Sequence, residues 1–121
     1  YTTTNSVDTT GVTSPAPDAV YQSVRYGNFS YTIPNLAPST TYHVKLHFDE
    51  FYWSTAGSRV FNVSSNNIQV LSNYDIYQAA GGTDKAVVES FTTTSDANGR
   101  IELTFTSVTD NAMVSGIEVA Q

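Results

Sequence analysis

Thr41-Tyr42-His43-Val44-Lys45-Leu46-His47-Phe48-Asp49-Glu50-Phe51-Tyr52-Trp53 is the stretch on which the fold class turns. Tyr42, Val44, Leu46 and Phe48 alternate with His43, Lys45, His47 and Asp49, so the segment reads as a strand from Thr41 to Tyr52 with one core face and one polar face. His43 and His47 share the polar face, too far apart to chelate one metal without a third ligand between them, and are expected to be solvated. The strand runs into Phe51, Tyr52 and Trp53, and a period of two cannot turn three consecutive aromatics inward.

Working outward, strands are expected over Ala19 to Tyr26 and Asn28 to Ile33 on one side. On the other side they are expected over Arg59 to Ser64, Ile68 to Ser72, Ala86 to Thr94, Gly99 to Ser107 and Met113 to Ala120. Ser65-Asn66-Asn67 and Ser95-Asp96-Ala97-Asn98 read as hairpin turns, since Asn tolerates positive φ. Tyr74 to Tyr77 reads as either strand or helical turn, and Ala79 to Asp84 as a small-residue loop. About eight or nine short strands at regular spacing predict an all-β sandwich or jelly roll. Before them, Tyr1 to Asp18 is rich in Thr and Ser and closes on Ser14-Pro15-Ala16-Pro17-Asp18, an extended arm ahead of a single domain over residues 19–121.

At 121 residues the chain has room for one core. It has no cysteine, which removes disulfides, thiolate zinc sites and cysteine nucleophiles. Five Lys and Arg stand against eleven Asp and Glu, a formal charge of −6 that repels phosphate backbones and argues against nucleic acid or anionic membranes as partners. Charged residues make up only 13% of the chain while aromatics reach 12%, a polar but weakly ionic surface often found outside cells. No apolar run is long enough to span a bilayer. The chain opens on Tyr1 and not Met, as expected of a processed product, a trimmed chain or one module of something longer.

Asp49-Glu50 invites a hydrolase reading, but strand neighbours point to opposite faces and cannot flank one bond. Neither a nucleophile elbow, a phosphate loop, a His-Glu-x-x-His motif nor a calcium loop is present, so no enzyme, cofactor or metal is expected. Asn28-Phe29-Ser30 and Asn62-Val63-Ser64 match the glycosylation sequon, a triplet common by chance in such a composition. Tyr26, Tyr52, Trp53 and Asp110 differ, because all four fall at expected strand ends, where a sandwich gathers its loops. Flat rings stack on the apolar faces of sugars while carboxylates and amides bond the hydroxyls. Composition by itself leaves Tyr52 and Trp53 equally open to two readings, a sugar-stacking surface or a cap over the core.

Val20-Tyr21-Gln22-Ser23-Val24-Arg25-Tyr26-Gly27, Phe29-Ser30-Tyr31-Thr32-Ile33-Pro34 and the stretch Tyr42 to Trp53 together resemble the malectin domain. Arg59-Val60-Phe61-Asn62-Val63, Tyr74-Asp75-Ile76-Tyr77 and Thr109 to Val119 continue the match in order over nearly the whole chain. The resemblance is greatest to the bacterial variant found with secreted glycoside hydrolases. It implies a jelly-roll-like antiparallel β-sandwich and a non-catalytic, extracellular module binding carbohydrate of glucan type, with Tyr26, Tyr52, Trp53, Asp110 and Tyr1 as ligand contacts. Trp53 stands where the animal protein has Phe, a larger stacking surface. The family's first strand, with its Asn-Ala-Gly-Gly type motif, has no counterpart before Tyr1. A sandwich without it would expose a backbone edge. That gap suggests an alternative of another class, a structural subunit in which the Thr-rich arm pairs with a neighbour's open edge and builds a homopolymer.

Overall fold

A computed structural model describes all residues from Tyr1 to Gln121. In chain order its elements are α1 (Asp18–Tyr21), β1 (Arg25–Tyr26), β2 (Phe29–Ile33), β3 (Thr41–Asp49), β4 (Val60–Ser65) and β5 (Ile68–Tyr74). There follow α2 (Ile76–Ala80), β6 (Ala86–Thr94), β7 (Ile101–Thr109), β8 (Met113–Val114) and β9 (Gly116–Ala120). One antiparallel sheet has the order β2-β7-β4-β5 and the other β6-β3-β9, with β1 and β8 forming a short ribbon at one end. The expected all-β sandwich is therefore what forms. No helix is long and apolar enough to cross a membrane.

The alternation in β3 explains its central place. Val44, Leu46 and Phe48 are completely buried and meet Phe61 and Val63 of β4 and Ile101, Leu103 and Phe105 of β7, equally enclosed. Each such side chain contributes roughly 1.5–3 kcal/mol by leaving water. Phe29 and Phe105, register partners between β2 and β7, stack at 4.6 Å. The Asn66-Asn67 turn is as expected: both residues have positive φ, 47° and 67°, and Ser65 pairs with Ile68 across a two-residue hairpin.

The polar face of β3 departs from expectation. His43 and Lys45 are exposed, but His47 is only 2% exposed and Asp49 not at all, because α1 and the N-terminal arm lie over that end of the sheet. His47 is a buried hydrogen-bonded residue. Its Nε2 lies 2.8 Å from the Glu118 carboxylate and its Nδ1 2.8 Å from the Tyr21 hydroxyl. Since the carboxylate can only accept, the ring proton sits on Nε2 and Nδ1 accepts the Tyr21 O–H. That oxygen in turn accepts the Ala16 N–H at 3.2 Å.

Ala19 to Tyr26 is likewise no continuous strand. Pro17, with φ −55° and ψ 148°, opens a helical turn that carries Tyr21 inward to its complete burial, and only Arg25–Tyr26 is extended. Tyr74 to Tyr77 divides: β5 ends at Tyr74, and α2 starts behind Asp75, whose side chain accepts the Gln78 N–H at 3.2 Å. The last expected strand breaks at Ser115, whose N–H donates to His47 O while β8 pairs with β1 and β9 with β3.

Tyr1 to Pro17 carries no helix or strand, yet it is tied to its own chain. Thr2 bridges Ser23, Asp8 bridges Lys85 in parallel sense, and Thr3 N–H donates to Gln22 O at 2.8 Å. The outer strands β2 and β9 leave a groove of about 640 Å³ between the two sheets, lined by Tyr31, Ile33, Ile117 and Val119 among others.

Candidate functional site

β3 ends at Asp49, three residues earlier than the expected Tyr52, and the chain turns out of the sheet at Glu50. Glu50 is completely buried and is the hinge of the site. One carboxylate oxygen accepts the backbone N–H of Tyr52 and of Trp53, both at 3.3 Å, which shapes the turn that presents those rings. The other accepts Arg59 Nε at 2.6 Å. Arg59 then reaches across to the turn after β7, donating to Asn111 O at 2.6 Å with its second nitrogen 3.8 Å from Asp110. A single buried ion pair thus fastens two walls together. Removing one partner of such a pair costs about 3–5 kcal/mol, because the other is left charged and enclosed.

Between those walls lies a cleft of about 330 Å³ lined by Tyr1, Val24, Tyr26, Phe51, Tyr52, Trp53, Arg59, Asp110, Asn111 and Met113. The arm brings Tyr1, stacked on Phe51 at 5.5 Å and held by its backbone nitrogen, which donates to Val24 O at 3.1 Å. Strand β1 brings Tyr26, and the turn after β3 brings Tyr52 and Trp53, edge to face at 4.8 Å. Tyr1, Tyr26 and Tyr52 stay 69%, 54% and 68% exposed, so these rings do not cap the core. Asp110 occupies the left-handed region at φ 55°, and its Oδ2 accepts Trp53 Nε1 at 2.6 Å. Its Oδ1 and the Asn111 amide make no hydrogen bond within the chain, and the two residues line the cleft with an acceptor and a donor–acceptor pair to offer.

The five residues singled out from the sequence, Tyr1, Tyr26, Tyr52, Trp53 and Asp110, therefore line one cleft. Glu50 and Arg59 were not among them. Nothing in the local pattern distinguishes a Glu that holds a turn from one in a solvated pair. Asp49 and Glu50 separate as strand neighbours should, Asp49 beneath the arm and Glu50 toward Arg59. His43 stays on the exposed face of β3. The sequon residues lie elsewhere: Asn28 Oδ1 accepts the Ser107 N–H and Asn62 Oδ1 the Asn73 N–H, each at 2.7 Å. No three His, Cys, Asp or Glu residues gather as metal ligands.

Fold and cleft together define a β-sandwich whose candidate site is built from strand ends and loops. The malectin domain matches residues 1–118, and the chain belongs to that family. Among curated relatives, it is 36% identical over 107 residues to the kinesin-like protein KIN-14E of Oryza sativa subsp. japonica, covering 82% of this chain and 10% of that protein. To the kinesin-like protein KIN-14R of Arabidopsis thaliana it is 30% identical over 100 residues, 81% of this chain and 9% of that one. The chain thus spans about a tenth of the length of these relatives. Among solved structures, the ANX2 ectodomain of Arabidopsis thaliana superposes with a TM-score of 0.86 at 22% identity, over 98% of this chain and 38% of that one. A Bacteroides uniformis β-glucuronidase does so with a TM-score of 0.80 at 19% identity, over 100% of this chain and 13% of the enzyme. At these identities the likeness is one of fold. The glucuronidase carries no catalytic argument to this chain.

Proposed function

We propose that the chain is a non-catalytic, extracellular carbohydrate-binding module whose cleft takes a neutral glucan-type oligosaccharide. The observation that carries this reading is the convergence of Tyr1, Tyr26, Tyr52, Trp53 and Asp110, far apart in sequence, on one cleft of about 330 Å³. Exposed rings offer stacking faces, and Asp110 and Asn111 offer bonds to hydroxyls. The Arg59 charge is taken up by Glu50, so the cleft presents no free cation for an anionic ligand. The ectodomain neighbours support an extracellular setting. The separation of Asp49 from Glu50 supports binding without hydrolysis, since no acid and base face one bond. Assembly by arm exchange would first have to break the bonds between Asp8 and the Asp84–Ala86 backbone, which favours the module reading.

The test uses the single tryptophan, Trp53, which sits in the cleft and reports its occupancy. Titration with α- and β-linked gluco-oligosaccharides is expected to change its fluorescence with a Kd on the order of micromolar to millimolar, because few contacts must offset the ordering cost. Tyr26→Ala and Tyr52→Ala are expected to weaken binding. Flat titrations across both linkage types, confirmed by calorimetry, overturn the reading.

A further inference from the structure

We propose that Asp49 and Asp84, overlaid by Asn5 of the N-terminal arm, form a site for one calcium-class cation. Asp49 is completely enclosed, and neither of its carboxylate oxygens has a hydrogen-bond partner. No other buried side chain in the molecule is left so. An enclosed carboxylate with no donor is costly to keep charged, unless something outside the polypeptide neutralises it.

The surroundings say what that would be. Asp49 pairs with Ala86 between β3 and β6, and Asp84, two residues before Ala86, is anchored beside it by its N–H bond to Glu50 O at 2.8 Å. Burial first, and then the negative charges of Asp84 and Glu50, disfavour the charged form of Asp49. Arg59 answers Glu50, but no cation answers Asp49 or Asp84: Lys85 extends toward Gly81 and Gly11, and His47 is engaged by Tyr21 and Glu118. On the arm side, the Asn5 amide nitrogen lies 3.0 Å from Asp84 Oδ1 and 3.5 Å from Phe51 O. A cation held by these oxygens would displace the amide N–H bonds and turn the Asn5 amide by half a turn, so that its oxygen joined the Asp84 carboxylate and the Phe51 carbonyl as a ligand.

This donor set selects the ion. With no third His, Cys, Asp or Glu at hand, the shell must be completed by neutral oxygens and water. Calcium accepts such a mixture at a coordination number of about 6–8, magnesium demands a stricter octahedron, and zinc prefers nitrogen and sulfur. Two carboxylates balance its charge. The bound ion would fasten the arm, and hence Tyr1, to the carbonyl of Phe51 in the cleft wall. The site itself does not depend on the sugar reading, since it is measured without sugar.

The full chain, stripped with chelator near neutral pH, would be titrated calorimetrically with calcium chloride and melted with calcium or magnesium chloride. One-site calcium binding is expected, with a Kd of about 10⁻⁵–10⁻³ M. At ten times that concentration Tm should rise by roughly 3–8 °C. Asp84→Asn, on the accessible side, should weaken binding at least about tenfold and retain the fold. Asp49→Asn should abolish binding and raise the Tm of the calcium-free protein. Calcium binding in a protein that ignores every glucan would support this site while removing the sugar reading. Absence of both heat and Tm shift, an undiminished response in Asp49→Asn, or an equal response to magnesium would each overturn the assignment.

Discussion

Asp110 and Glu50 illustrate two ways in which one carboxylate can serve the cleft. Asp110 lines the cleft with one oxygen held by Trp53 Nε1 and the other without a bond inside the chain. Asp110→Asn keeps an acceptor for the indole while losing the charge that strengthens bonds to sugar hydroxyls. Calorimetric titration is expected to show binding weakened by about 1.5–3 kcal/mol with Tm almost unchanged. Glu50 touches no ligand position and acts through the turn it holds. Glu50→Gln leaves Arg59 without its buried counter-charge and should lower stability by about 3–5 kcal/mol in denaturant unfolding. The surviving folded protein should bind sugar more weakly, because the one acceptor oxygen of Gln can serve either Arg59 or the Tyr52 and Trp53 N–H groups, and its amide NH2 then opposes the other donors. A variant of unchanged stability would contradict the positioning role of this pair.

At the scale of elements, the turns are where single residues are least replaceable. The β6–β7 turn closes on Gly99 at φ 71°, where an added Cβ would come within 2.1 Å of Leu36 O. Backbone cannot move aside as the end of a side chain can. Gly99→Ala should therefore destabilise by about 2–4 kcal/mol, measured in urea, while Gly82→Ala, with nothing near its added Cβ, stays within about 0.5 kcal/mol. The two sheets are also clamped by a polar contact, the Tyr74 hydroxyl of β5 donating to Glu89 of β6 at 2.8 Å. Burial, then the Glu89 charge, raises the Tyr74 pKa above its ordinary 10. The unfolded chain gives up that proton near its ordinary value while the folded protein retains it. This contribution is consequently full below about pH 10 and lost as pH rises beyond it. Melting at stepped alkaline pH should show Tm falling above that point, and Tyr74→Phe should flatten the fall.

For the whole molecule, the sandwich is a scaffold that carries four separate segments to one end. Its strand count, the core face of β3 and the Asn66-Asn67 hairpin were legible in the sequence, because a period of two and a tolerance for positive φ act over neighbouring residues. Aromatics at strand ends are a local feature too, and they lie at the end of the sandwich that holds the cleft. The burial of His47 and Asp49 was not legible. Both occupy positions that the alternation assigns to solvent, and only the packing of α1 and the arm over β3 covers them. Nor could local pattern foresee that Tyr21 turns inward, or that the last strand changes sheets at Ser115. Short-range pattern was enough for most of the strands, the inward face of β3 and the residue types available for stacking. Tertiary structure alone decided that Glu50 and Arg59 join the two walls and that Trp53 meets Asp110 across 57 residues of chain, since contacts at such separation depend on how the sheets stack.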